Sequence, residues 1–277
     1  MVAHAKRIVV GDSIIARTDT LPAGVRAGVA SSGLSVHFAD GNRPDAAAIA
    51  RLTDDVGEGH AAEGGRFRIS HSPTASAGWV ELLASGLAFD LAGLAPGEGV
   101  SPPPPVHLFG FDQAPILVPD AALHLAVGAH LSGGSGLLPV VRTMVALGAR
   151  LARLDGAVAV GWYPARSVIE AGLFCRMIDG WLAGGAFPAL GLTALARDPD
   201  GGLRSEGLAH FIGQELRIEP HHGEPLADAA KLALRLIHGF VESGPVSAAF
   251  EATGLNGSRL LVEPSANRNF IRVWRRD

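Results

Sequence analysis

A single cysteine, Cys175, stands in the 277 residues, so no disulfide within the chain can brace the fold, and a reducing compartment is the expectation. Charge is equally scarce. Asp, Glu, Lys and Arg together make up 18% and the formal net charge is -4 at pH 7, a balance that gathers no phosphates at long range and argues against a nucleic-acid partner. Long apolar runs are missing too. His124 and His130 interrupt one apolar segment and Arg176 and Asp179 another, leaving each short of the roughly 18 uninterrupted apolar residues a membrane span needs. Asp12 cuts the stretch Ile8-Val9-Val10-Gly11 before it reaches signal-peptide length. These absences point to a cytoplasmic protein with no membrane partner.

Motifs that carry chemistry are also lacking. No G-x-S-x-G elbow occurs, which removes the usual serine-hydrolase signature. No metal-ligand spacing and no cofactor motif stands out, so the sequence calls for no metal and no cofactor. What is abundant is core material: hydrophobic residues form 48% of the chain, the mark of a folded globular protein.

Residues 1–65 read as an N-terminal segment, with short strands at residues 8–10 and Leu34–Phe38, a short helix at 45–52, and a glycine-rich loop at 57–65 that marks a boundary. A first unit is expected over 66–155. Arg66-Phe67-Arg68-Ile69-Ser70 alternates with the period of a half-buried strand. A helix is expected over 74–91, its buried face formed by Trp79, Leu82, Leu83, Leu87 and Leu91, and Pro96 with Pro102 to Pro105 then imposes a stiff, extended connection. Strands at 106–109 and 121–131 follow. The clearest helical stripe is Val140, Met144, Leu147, Leu151 and Leu154, after which Ala157–Trp162 has the length of a buried strand.

A second unit, 156–277, repeats the plan with a helix at 165–182, strands at 189–196 and 207–218, a helix at 225–241 led by Pro225, and strands at 259–262 and 270–274. The expected fold is α+β, a two-layer sandwich of duplicated ferredoxin-like β-α-β-β-α-β units, antiparallel sheet with helices packed on it, joined in one body.

The stretch Phe187-Pro188-Ala189-Leu190-Gly191-Leu192, the turn Asp198-Pro199-Asp200-Gly201-Gly202, and the segment Glu206-Gly207-Leu208-Ala209-His210-Phe211-Ile212-Gly213-Gln214-Glu215-Leu216 resemble the domain of unknown function 4261 family. The resemblance covers the C-terminal half. It implies a strand, a polar turn and a second strand there, and it brings no established activity.

Two strand-to-helix junctions are the candidate sites. Gly133-Gly134-Ser135-Gly136 precedes a helix, where backbone amides and the positive end of the helix dipole can hold an anion, although the run lacks the lysine of a P-loop; Ser135 alternatively serves as a helix cap. His221, His222 and Glu224 occupy the corresponding junction of the second unit, with a solvated polar loop as the plainer reading. His124 and His130 share a strand face but stand too far apart to chelate one ion. Cys175 reads as a packed core thiol, and Asp54-Asp55 as solvated turn residues. Phe270, Arg272, Trp274 and Arg276 fall on one strand face, either a partner surface or an edge strand guarded by charge. The resulting expectation is a non-catalytic binding or regulatory protein that engages a protein partner or a small anionic ligand; the alternative is an enzyme whose site is assembled at 133–136 and 221–224.

Overall fold

A computed structural model describes residues 32–54, 66–254 and 257–276. The strand expected at 8–10, the loop at 57–65 and Asp55 lie outside the described residues. The chain is α+β, with strands in two mostly antiparallel sheets and helices packed on them. In chain order the main elements are β1 (Leu34–Phe38), α1 (Ala46–Asp54), β2 (Phe67–His71), β3 (Trp79–Ala84), β4 (Leu87–Ala92), β5 (His107–Phe109), β6 (Ala122–Val127), α2 (Leu138–Leu151), β7 (Ala157–Trp162), β8 (Ser167–Glu170) and α3 (Ala171–Leu182). The chain continues through β9 (Ala194–Arg197), β10 (Leu203–Glu206), β11 (Glu215–Ile218), α4 (Leu226–Ser243), β12 (Phe250–Thr253), β13 (Arg259–Pro264) and β14 (Phe270–Arg276).

The larger sheet has eight strands in the order β2-β3-β4-β6-β1-β7-β8-β5, and the smaller has six in the order β12-β13-β14-β11-β10-β9. Only β5 with β8 and β11 with β14 pair in parallel among the described strands. The strand expected at Leu34–Phe38 is found, and it occupies the middle of the larger sheet between β6 and β7. That sheet draws on all three expected segments: β1 from 1–65, β2 to β6 from 66–155, and β7 and β8 from the remainder.

Several expected elements differ. The helix at 74–91 is instead the β3–β4 hairpin, closed by Ser85-Gly86 with positive φ at both residues, 49° and 77°. Two residues in that conformation make a turn whose twist matches an antiparallel pair. Val80, Leu82, Phe89 and Leu91 enter the core while Glu81 and Asp90 face each other on the opposite side, a period of two that the leucine spacing disguised. From β2 to β7 the order is therefore β-β-β-β-β-α-β rather than β-α-β-β-α-β. The helix expected from 165 begins only at Ala171, because Ser167–Glu170 is strand β8 and the Glu170 side chain accepts from Gly172 N and Leu173 N to start α3. The strand expected at 189–196 begins only at Ala194, after a turn in which Leu190 and Gly191 depart from helical angles, and the strand expected at 207–218 holds a one-turn helix, Ala209–Ile212, before β11.

Helix α2 lies across β1 and β6, with Gly148 of α2 against the Leu34 side chain. Helix α3 packs on α2, β7 and β8, and α4 on β10 and β11. One apolar core runs through both sheets and includes Phe38, Phe89, Leu125, Trp162, Phe174 and Ile237. Its burial supplies the main driving force for folding. Because side chains alternate along a strand, seating Leu34, Val36 and Phe38 in that core turns Ser35 and His37 to the other face of the larger sheet.

Candidate functional site

All five residues of β1 are buried, so Ser35 and His37 are polar groups hidden from solvent on the face away from α2. Ser35 Oγ and His37 Nε2 are 3.0 Å apart. On the two neighbouring strands Ser35 stands opposite His124 and Gly161. A Cβ at position 161 would lie 2.4 Å from Ser35 Oγ and 3.5 Å from His37 Nε2, so the glycine clears the space in which the pair sits. His124 Nδ1 meets the Tyr163 hydroxyl at 3.2 Å, with the two rings nearly parallel and their centroids 5.3 Å apart.

The electrostatics of this line are uniform. Burial lowers the pKa of His37 to about 4 and that of His124 to about 4. Burial likewise raises the Tyr163 hydroxyl above its ordinary value, with a hydrogen bond to Ser35 working in the opposite sense. At neutral pH the line is therefore uncharged: two neutral imidazoles and two hydroxyls, joined through Ser35 and Tyr163. The backbone of β1 is already paired on both sides, so these side chains are not there to satisfy the strand.

Over them lies a cavity of about 320 Å³. Its floor is formed by Ser35, His37, Gly161, Tyr163 and Ser167, and its roof by Pro102 to Pro105 with Leu117, Val118 and Pro119. The proline run is thus the cover of the cavity, an extended segment whose fixed φ holds it off the sheet. Arg166 stands exposed at the rim.

The junctions singled out in the sequence lie elsewhere, and neither lines this cavity. Residues 129–134 form a 3-10 helix, Ser135 N donates to Ser132 O and Leu137 N to Gly134 O, so these amides are already used within the turn. Leu137 is the N-cap of α2 and no side chain caps it, which corrects the reading of Ser135 as the cap. Gly136 approaches the carbonyl of His210 so closely that a Cβ would fall 1.9 Å from that oxygen; its glycine is a packing requirement. Gly133 and the imidazoles of His221 and His222 are exposed, and Glu224 pairs with Arg275.

Cys175 is buried in α3, its Sγ 3.4 Å from Ala149 O, and burial is the first cause that pushes its thiol upward. It is a packed thiol, not an activated one. His124 belongs to the polar line, whereas His130 is exposed beyond the end of β6. Among the described residues no group of three or more His, Cys, Asp or Glu is placed to hold a metal ion, and no helix is long and apolar enough to cross a membrane.

The smaller sheet carries a second polar face. Arg217 pairs with Asp198, Asp200 and Glu219, and Glu219 also receives Arg272 at 2.6 Å. Arg204 bridges Asp198 and Glu206, each at 3.3 Å, and His107 of β5 reaches Glu206 at 2.8 Å. Burial alone would raise the Glu206 carboxyl, but the His107 hydrogen bond and the charges of His107, Arg204 and Arg166 bring it below the usual range. Arg272 lies over the Trp274 ring at 4.5 Å, and Trp274 Nε1 donates to Glu263 at 2.9 Å. Strand β14 is interior, flanked by β13 and β11. Its Arg and Trp residues are therefore cross-linked to neighbouring strands, which corrects the edge-strand reading.

Residues 206–216 are explained by structure. Glu215 accepts from Gly207 N at 2.9 Å, Ala209 N at 3.1 Å and Leu208 N at 3.2 Å, and from the Ser205 hydroxyl. Burial raises its carboxyl while those donors pull it back. Gln214 spans from Val246 to Arg268, bonding both carbonyls at 3.1 Å. These residues build a turn and carry no exposed chemistry. Comparison with protein-family models, with curated proteins and with solved structures finds no match.

Proposed function

We propose that this chain is a non-catalytic cytoplasmic binding protein whose ligand is a small molecule, held in the cavity between the proline segment and the larger sheet. The observation that carries this reading is the uncharged polar line Ser35, His37, Tyr163 and His124 at and behind the cavity floor. Buried polar groups lower stability relative to apolar ones unless they are fully satisfied, and this set lies where a few fixed donors and acceptors orient a ligand in a mostly apolar pocket. The volume stands at the small end of the roughly 300–1,000 Å³ range of such sites. Recognition is favoured over nucleophilic catalysis because, among the described residues, no carboxylate bonds the His37 imidazole beside Ser35, the third member that an activated Ser–His pair uses.

The resemblance of residues 187–216 to the domain of unknown function 4261 family belongs to the same proposal and does not decide the ligand. A thermal shift of the full chain against small carboxylates, nucleotides and divalent metals is the test, since a ligand that binds only the folded state raises the melting temperature. The expected result is a saturable shift that disappears in Leu117→Trp, where a roof residue fills the cavity. A shift undiminished in that variant would place the ligand elsewhere, and no shift with any small molecule would favour a protein partner.

A further inference from the structure

The ligand's chemical class can be read from the rim of the cavity, and this step rests on the binding reading above. Arg166 has φ 51° and ψ 35°, a left-handed conformation that a Cβ disfavours and that glycine adopts without penalty. The turn it closes uses only its backbone. Arg166 N donates to Tyr163 O at 2.9 Å, and its carbonyl accepts from Val106 N at 2.8 Å and His107 N at 3.2 Å. Other non-glycine residues share positive φ, namely Asp40, Ser85, Asp120 and Arg268, but Arg166 is the one that lines the cavity. Strain kept at a cavity mouth by a residue whose backbone role glycine could fill points to a use for the side chain.

Charge supplies the second argument. Arg166 is the one ionised side chain among the residues that line the cavity, and no carboxylate lines it. Glu206 lies near enough to feel Arg166 but is engaged by His107 and Arg204. Among the described residues Arg166 forms no ion pair. The site therefore offers one positive charge at its mouth, neutral groups at its floor, and apolar walls from the proline segment, Leu117 and Val118. A guanidinium matches a carboxylate with two parallel hydrogen bonds, and a single charge suits a monoanion.

We infer that the cavity takes a small monocarboxylic acid, its carboxylate on Arg166 and its alkyl or aryl body beneath Pro102 to Pro105. The test is calorimetric titration of the full chain at neutral pH with hexanoate and benzoate, each beside its primary amide. The acids are expected to bind at least ~10-fold more tightly than the amides, the scale of a hydrogen-bonded charge. Arg166→Gly should remove that preference while raising the melting temperature, because glycine relieves the left-handed strain. Arg166→Gln should remove it without the rise. Loss of binding with loss of stability would mark a merely structural residue and overturn the inference. Equal affinity for acid and amide, both abolished by Leu117→Trp, would overturn the carboxylate class and leave the cavity as a binding site. A phosphate monoester of the same body binding more tightly than the acid would also overturn it, and silence from every probe would remove the binding reading itself.

Discussion

The polar faces of the two sheets solve opposite problems. On the smaller sheet the side chains are charged, reach solvent in part, and are cross-linked in a chain from Glu206 through Arg204, Asp198 and Arg217 to Glu219 and Arg272, with His107 of the larger sheet's β5 bonded to Glu206 at its end. At the centre of the larger sheet, on β1, β6 and the turn after β7, the polar groups are neutral and buried, and the proline roof covers Ser35, His37 and Tyr163, while Glu81 and Asp90 lie further out on the same face, on β3 and β4. Charges that neutralise one another on a partly wet surface keep a sheet soluble and in register. Neutral polar groups sealed under a roof do neither, so the difference directs attention to the larger sheet as the place where a ligand is recognised.

The sharpest way to break that contrast is acid. An unfolded histidine takes up a proton near pH 6.5, whereas His37 and His124 refuse one until about pH 4. Below pH 6.5 the unfolded state thus binds more protons, and stability that is whole above that pH is lost as pH falls toward 4. At pH 4.5 the loss is about 3 kcal/mol per histidine. Asp90 and Glu215, raised first of all by burial, act in the opposite sense, so the comparison must be made against variants. Urea unfolding at pH 7.5 and 4.5 should show a smaller acid loss in His37→Gln and His124→Gln than in the parent. Equal losses would mean that the line is not held neutral.

The charged face should break at a different point. Glu219 is 6% exposed and bonds Arg217 Nε at 3.2 Å and Arg272 Nε at 2.6 Å. Glu219→Ala removes the shared carboxylate from two arginines and should cost about 3 kcal/mol by denaturant unfolding, as for other buried ion pairs broken on one side. Glu219→Gln, which keeps the shape, should cost less. Binding in the cavity should survive both, and its loss would show that the two faces are coupled through the His107–Glu206 contact.

A smaller effect tests the neutral face by itself. Gly161→Ala would set a methyl 2.4 Å from Ser35 Oγ, and turning that hydroxyl aside breaks its bond to His37 at a cost of about 1–2 kcal/mol. Combining it with Ser35→Ala removes the clash, so the double variant should be more stable than the two single losses added together. Additive losses would show that Gly161 and Ser35 do not share one space.

Much of the fold can be read from periodicity. The strand Leu34–Phe38, the stripe of α2, the apolar run of β7 and the helix α4 follow directly from residue spacing. The β3–β4 hairpin does not, because Leu82, Leu83, Leu87 and Leu91 also satisfy a helical spacing and Ser85-Gly86 is a weaker turn signal than Asn-Gly. The site is less legible still. Leu-Ser-Val-His-Phe reads as a strand with one wet face, and nothing local reveals that a proline segment some 65 residues later in the chain covers Ser35 and His37. Tyr163 and Arg166 sit in a turn whose left-handed residue is an arginine, which no turn rule anticipates. The glycine runs and paired histidines are conspicuous in sequence, while the polar line is assembled across β1, β6 and the turn after β7 and exists only after pairing.

The smallest expected effect marks the limit of the comparison. Lys231 and Asp228 form an ion pair at 3.3 Å on the first turns of α4, with their side chains 68% and 50% exposed. Water screens such a pair, and holding two long side chains together costs entropy, so Lys231→Ala should change stability by no more than about 0.5 kcal/mol. It also leaves Asp228 in the first turn, where the helix dipole favours a carboxylate. Measured under the same denaturant conditions as Glu219→Ala, the two variants separate burial from charge as the source of strength in this protein's ion pairs. If Lys231→Ala cost as much as Glu219→Ala, charge alone would be stabilising the smaller sheet and its neighbouring helix, and the neutrality of the line Ser35, His37, Tyr163 and His124 would lose its meaning as a sign of function.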